Sequence, residues 1–126
     1  MANSRIAGCL QRFEEKPNMW LSTLRAEDSR PHLVPIWYIV HGGKLWVATL
    51  QSQKVRNVAA DERVIAALDD TVNPCVLEAT ARIEPADAVR DELAPLFQQK
   101  YDWDFRHDTD GDYVLISLTP TRALLG

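Results

Sequence analysis

Hydrophobic positions recur along this chain at two spacings, one that suits helix and one that suits strand. Ile6, Leu10 and Phe13 share one face of a short N-terminal helix, which Pro17 and Asn18 end. Met19 to Leu24 follows as a strand, and the polar stretch Arg25 to Pro31 joins it by a hairpin to a second β-prone run. That run, Leu33 to Val40, is apolar at every position, so neither of its alternating faces is written for water. One face can line a core, and the other requires a cover of its own, which predicts self-association, because a monomer would expose too large an apolar patch. Pro35 has no N–H to offer a ladder and predicts a bulge or an edge. Alternation places Pro35, Trp37 and Ile39 together, opposite Val34 and Ile36.

His41-Gly42-Gly43-Lys44 is a two-glycine hairpin signal leading into the strand Leu45 to Leu50. Across Gln51 and Ser52 the period changes from two to that of a helix, carried by Val55, Val58 and Ala59 and ending near Asp61 and Glu62. Val64 to Leu68 and the loosely alternating Cys75 to Glu84 read as further strands. Pro85 then opens a helix with Val89, Leu93, Leu96 and Phe97 on one face, and Pro95 is placed to kink it. Tyr101 to Asp112 mixes acidic and aromatic residues in a loop expected to be solvated, before a last strand, Tyr113 to Leu118. Six strands and three helices result, in one domain spanning residues 1–126. Sequential hairpins around one core predict a small, mostly antiparallel β-barrel with helices at its ends.

Composition narrows the function classes. A formal charge of -4 and a pI near 5.3, with no clustered basic face, argue against general nucleic-acid or anionic-membrane binding. Cys9 and Cys75 are far apart and lack CxxC spacing, so reduced thiols are expected. No apolar run suits a signal peptide or a membrane span, and a cytoplasmic location is expected. His32, His41 and His107 lack ligand spacing, and the acidic loop lacks the glycine and closing glutamate of a calcium loop, so no metal site is expected. There is no GxSxG elbow and no P-loop. An enzyme built from these residues would need a borrowed cofactor, with the protein supplying position and electrostatics.

The period change at Ser52 is where such a cofactor could be held. Ser52 is the natural N-cap, which leaves the N–H groups of Gln53, Lys54 and Val55 in front of the helix. With the helix dipole and the Lys54 and Arg56 charges, that end favours an anion such as a phosphate. The same pattern also describes an ordinary strand-to-helix junction carrying solvated basic residues.

Pro35-Ile36-Trp37-Tyr38, the Gly42-Gly43 hairpin, Ser52-Gln53-Lys54-Val55-Arg56-Asn57 and Asp61-Glu62-Arg63-Val64 together resemble the pyridoxamine 5'-phosphate oxidase-like split-barrel family, over Trp20 to about Ile83. Tyr101-Asp102-Trp103-Asp104 and Thr119-Pro120-Thr121-Arg122 look like its short bacterial branch, which uses the 8-hydroxy-5-deazaflavin coenzyme F420 in place of FMN. The resemblance implies a six-stranded antiparallel split β-barrel that forms a homodimer, with F420 or FMN in a groove at the subunit interface. The implied activity is hydride transfer between that cofactor and a small organic substrate, with no side chain assigned a catalytic role. The family's phosphate-binding residues fall on Ser52, Gln53 and Lys54, with Arg56 and Asn57 matching the short branch; Gln53 stands where the family has arginine. His32 takes the place of the arginine that opens the second strand, with Arg30 two residues earlier. The ring is implied near Pro35, Ile36, Trp37 and Thr49. The sequence reaches Gly126 without the substrate-binding extension of the oxidases, so pyridoxamine phosphate oxidation itself is not expected. A non-catalytic flavin-binding carrier or sensor is the alternative, and a haem-binding split barrel lacks its axial histidine.

Overall fold

In a computed structural model describing residues 2–124, the Gly42-Gly43 turn forms with φ of 62° and 74°, the left-handed pair that a tight hairpin demands. It joins β3 (Ile39–His41) to β4 (Lys44–Leu50). Before it come α1 (Ala2–Glu14), β1 (Met19–Leu24) and β2 (Pro31–Ile36). After it come α2 (Gln53–Ala60), β5 (Arg63–Leu68), β6 (Val76–Glu84), α3 (Asp87–Tyr101), a 3-10 turn (Phe105–His107) and β7 (Tyr113–Leu124). Gly126 lies outside the described residues.

The strands form one seven-stranded antiparallel sheet in the order β2-β1-β5-β6-β7-β4-β3. Its two edge strands, β2 and β3, are consecutive in the chain and separated only by Trp37 and Tyr38. The sheet therefore curls until its edges flank one short gap, which makes it a split barrel. The expected count of six strands is corrected to seven, because the apolar run Leu33 to Val40 is two strands and not one. Tyr38 breaks it. Its ring is fully buried in the barrel core, with the hydroxyl 2.6 Å from the Phe13 carbonyl and 2.8 Å from that of Lys16. Its backbone is satisfied outside any ladder: the N–H donates to the Tyr101 hydroxyl at 3.0 Å, and the carbonyl accepts from Lys100 Nζ at 3.1 Å.

Two apolar clusters cover the two sides of β4. Leu45 and Val47 face the barrel with Phe13, Leu21, Leu77 and Ile116. Trp46 and Ala48 face outward, where Leu93, Ala94 and Phe97 of α3 cover them. Val89 and Leu96 pack beside that second cluster, as the predicted apolar face of the helix requires, and α3 runs on through Pro95 to Tyr101. The loop expected to be solvated is instead anchored by Phe105, which is 1% exposed, and by Trp103 packed against it. Cys9 and Cys75, expected as separate reduced thiols, form a disulfide from α1 to the residue before β6, with Cα atoms 5.7 Å apart. A spacing of 66 residues gave no sign of that pairing, which depends on α1 packing across the sheet. Among the described residues no helix is long and apolar enough to cross a membrane.

Candidate functional site

β4 runs into α2 through Gln51 and Ser52, as the change of period predicts. Ser52 occupies the N-cap with extended backbone, yet its side chain makes no capping bond, and its buried Oγ has no hydrogen-bond partner. The expected cap thus holds in position and not in its hydrogen bond. Lys54 is half-buried, pairs with no carboxylate among the described residues, and has its pKa lowered by burial. A partly desolvated ammonium two residues along from an unsatisfied hydroxyl at a helix N-terminus is suited to hold an anion.

The neighbouring residues are engaged within the chain. Arg56 Nη2 donates to Gln53 Oε1 at 2.9 Å, Gln53 Nε2 donates to Asn57 Oδ1 at 2.6 Å, and Asn57 Nδ2 donates to Thr23 Oγ1 at 3.0 Å. Asn57 and Thr23 are fully buried, so this relay pins α2 to β1 and orients the helix N-terminus. Arg56 remains exposed. His32 lies directly across the β1–β2 ladder from Thr23, and its Nδ1 is buried without a partner. The relay thus runs from Arg56 through Gln53 and Asn57 to Thr23, with His32 opposite Thr23 on the neighbouring strand and Ser52 and Lys54 at the start of the same helix, and Thr23 is a member that sequence reasoning missed.

An open cleft of about 590 Å³ lies over the outer side of the sheet. Pro35, Ile36 and Trp37, the residues near which the resemblance implies the ring, line it together with Ala48, Trp103 and Tyr113. Tyr113 pairs with Leu50, two residues before Ser52, so the cleft wall and the helix N-terminus share one end of β4. Thr49 is 8% exposed, and alternation along β4 turns it to the barrel side with Val47, away from this cleft. Trp37 stacks on Tyr101 with ring centroids 4.4 Å apart and planes 10° apart, and 45% of it is exposed. Trp103 stands edge-on to Trp37 at 5.8 Å and to Tyr113 at 4.9 Å. Asp108, also on the cleft wall, accepts from the Trp103 indole N–H at 2.7 Å, from the Tyr113 hydroxyl at 3.3 Å and from the Asp110 N–H at 2.8 Å. The Asp110 and Trp103 donors keep its carboxyl below the usual carboxylate range. Asp108, Tyr113 and the cleft position of Trp103 were not expected from the sequence, although the aromatic-acidic composition of residues 101–113 was the available signal.

Solved structures share this fold. A conserved hypothetical protein from Mycobacterium tuberculosis superposes with a TM-score of 0.78 at 21% identity, over 93% of this chain and 81% of that one. A FAD-binding protein from Mesorhizobium loti gives 0.74 at 16% identity, over 93% and 88%. A protein named F420 reductase gives 0.71 at 22% identity, over 90% and 94%. At these identities the likeness is one of fold. No curated protein matches the chain in sequence. The family model described as pyridoxamine 5'-phosphate oxidase matches residues 8–125, nearly the whole chain, and the protein belongs to that split-barrel family.

Proposed function

We propose that this protein is an oxidoreductase that binds F420 or FMN and transfers a hydride between it and a small organic substrate. Two buried polar atoms without partners among the described residues, Ser52 Oγ at the start of α2 and His32 Nδ1 across the ladder from Thr23, carry the reading. Ser52, Lys54 and the adjoining backbone N–H groups would hold the cofactor phosphate, with Arg56 at the rim, and Pro35, Ile36 and Trp37 would lie along the ring. The bound cofactor supplies the hydride chemistry, and the chain's own residues bind, orient and desolvate. Gln53 and Asn57 contribute by holding the helix in place, since their side chains already bond within the chain. The cleft runs past the ring positions to Trp103, Asp108 and Tyr113, which supports an enzyme over a carrier, because storage of a cofactor requires no space beyond the ring.

A second copy of the chain completes this reading. Trp20, Leu33, Trp37 and Ile65 are 39%, 59%, 45% and 38% exposed. Trp20 pairs with Pro35 and Ala67, and Ser22 pairs with Leu33 and Ile65, so these residues form adjoining rows on one outer face of β2-β1-β5. A homodimer burying that face would also wall the groove beside Pro35 and Trp37.

The test is a titration of the purified protein with FMN and with F420, followed by absorbance and by tryptophan fluorescence. Saturable binding of one of the two, with quenching that Trp37→Phe largely removes, and steady turnover of a reductant with an acceptor are expected. Absence of binding by both cofactors overturns the reading, and binding without turnover of any pair leaves the carrier.

A further inference from the structure

The aromatic rings of Trp37, Trp103 and Tyr113 line the cleft, and among the described residues Asp108 is the one charged residue that does so. Tyr101 covers one face of the Trp37 indole and leaves the other to the cleft. Trp103 is turned 70° from Trp37, and Tyr113 a further 73° from Trp103, so the rings form adjacent walls and not a flat stack. The Asp108 carboxylate is held by three donors, all of them uncharged. Asp61, Asp91 and Asp104 each pair with an arginine, whereas no cation pairs with Asp108 among the described residues. Each ring presents a negative face, and the carboxylate adds a full charge that the protein orients without neutralising. A neutral planar molecule would use the rings alone. A planar cation would use rings and carboxylate together, and a delocalised charge is weakly hydrated and loses less on leaving water than a compact ammonium.

We propose that this cleft selects substrates that carry a flat, delocalised cation, of the alkylpyridinium type, seated on Trp103 and Tyr113, beyond the ring positions at Pro35, Ile36 and Trp37, with its charge against Asp108. The inference rests on the redox reading only in calling the ligand a substrate; the cation preference stands on the cleft alone.

The probes are 1-methylnicotinamide, a pyridinium cation, and 3-methylbenzamide, its uncharged isostere. Affinities for the untreated protein are measured by calorimetry, and the Trp103 indole N–H is followed by NMR, assigned through Trp103→Phe. The cation is expected to bind about tenfold more tightly than the amide, the size of a partly desolvated cation–π contact, and to shift the Trp103 resonance. Asp108→Asn, which keeps an acceptor for Trp103, should bring the two affinities within about twofold of each other. Equal affinities in the unmodified protein, no binding of either probe, a preference that survives Asp108→Asn, or cation binding without movement of the Trp103 signal would each overturn the inference. Should Asp108→Asn not fold, the affinity ratio and the Trp103 shift in the unmodified protein still decide. Cofactor binding is measured separately: failure of FMN and F420 to bind alongside an intact cation preference removes the redox reading and leaves this one, and the converse result does the opposite.

Discussion

Lys54 and Asn57 lie three positions apart in α2 and take opposite roles, which a pair of alanine substitutions separates. Lys54 is partly desolvated without a compensating carboxylate among the described residues, so its charge costs the free protein something that a bound anion would offset. Lys54→Ala should weaken binding of FMN or F420 roughly 10- to 150-fold, the loss of one charge-assisted contact of about 1.5–3 kcal/mol. The melting temperature of the cofactor-free protein should hold or rise slightly, because a cation at a helix N-terminus opposes the dipole. A loss of several degrees with unchanged affinity would make Lys54 a structural residue. Asn57 is buried and bonded to both Gln53 and Thr23, so Asn57→Ala leaves buried polar atoms unpaired at a cost of about 1–3 kcal/mol. Calorimetry should show a melting temperature lower by about 3–6 °C for each kcal/mol lost. A melting temperature within a degree of the parent's would exclude that role.

At the scale of elements, the last turn of α3 acts as a clasp on the barrel gap. Tyr101 takes the Tyr38 N–H, and Lys100 Nζ reaches the Tyr38 carbonyl while lying 3.8 Å from the centre of the Tyr38 ring. Burial pushes the Lys100 pKa down to about 8, with Glu14 pulling the other way. A lysine whose folded pKa lies below its unfolded value binds its proton less readily in the native state, so its cost is fully present below pH 8 and fades as pH rises toward the unfolded value. The melting temperature of the parent should therefore rise relative to Lys100→Gln between pH 8 and about 10. A constant difference across that range would place the ammonium in water. Above pH 10 the buried Tyr38 and Tyr101 phenols, both raised by burial, lower the stability as the unfolded chain ionises, so the comparison is made below that pH. This clasp also marks where the sequence stopped being informative. The Gly42-Gly43 hairpin, the change of period at Ser52 and the apolar face of α3 were legible, because each is written in neighbouring residues. Hydrophobic periodicity reports that Leu33 to Val40 is buried or covered, but not that Tyr38 leaves the ladder to meet a helix more than 60 residues later. Trp103 and Asp108 at the cleft, Thr23 beneath Asn57 and the Cys9–Cys75 bridge were hidden for the same reason, since each depends on segments brought together by the fold.

At the scale of the molecule, the exposed rows on β2-β1-β5 predict a dimer. Sedimentation at micromolar concentration should give twice the chain mass, and Leu33→Asp together with Trp20→Glu should give a folded monomer with weakened cofactor binding. A concentration-independent monomer of the unmodified chain would exclude the shared groove. The gap in the barrel carries a different consequence, for the order of folding. β2 and β3 adjoin in the chain but stand at opposite edges with five strands between them, and the Trp37–Tyr38 segment meets Tyr101 across a separation of 63 residues. Contacts of such long range close slowly and late. In refolding experiments Trp37→Phe should therefore lose amplitude from the slowest fluorescence phase and leave the earlier phases, carried by Trp46 and Trp20, unchanged. A chain arrested before that step would hold most of its sheet and have no cleft. Competence to bind is thus the last property that the folding chain acquires, and binding itself becomes a readout of complete folding.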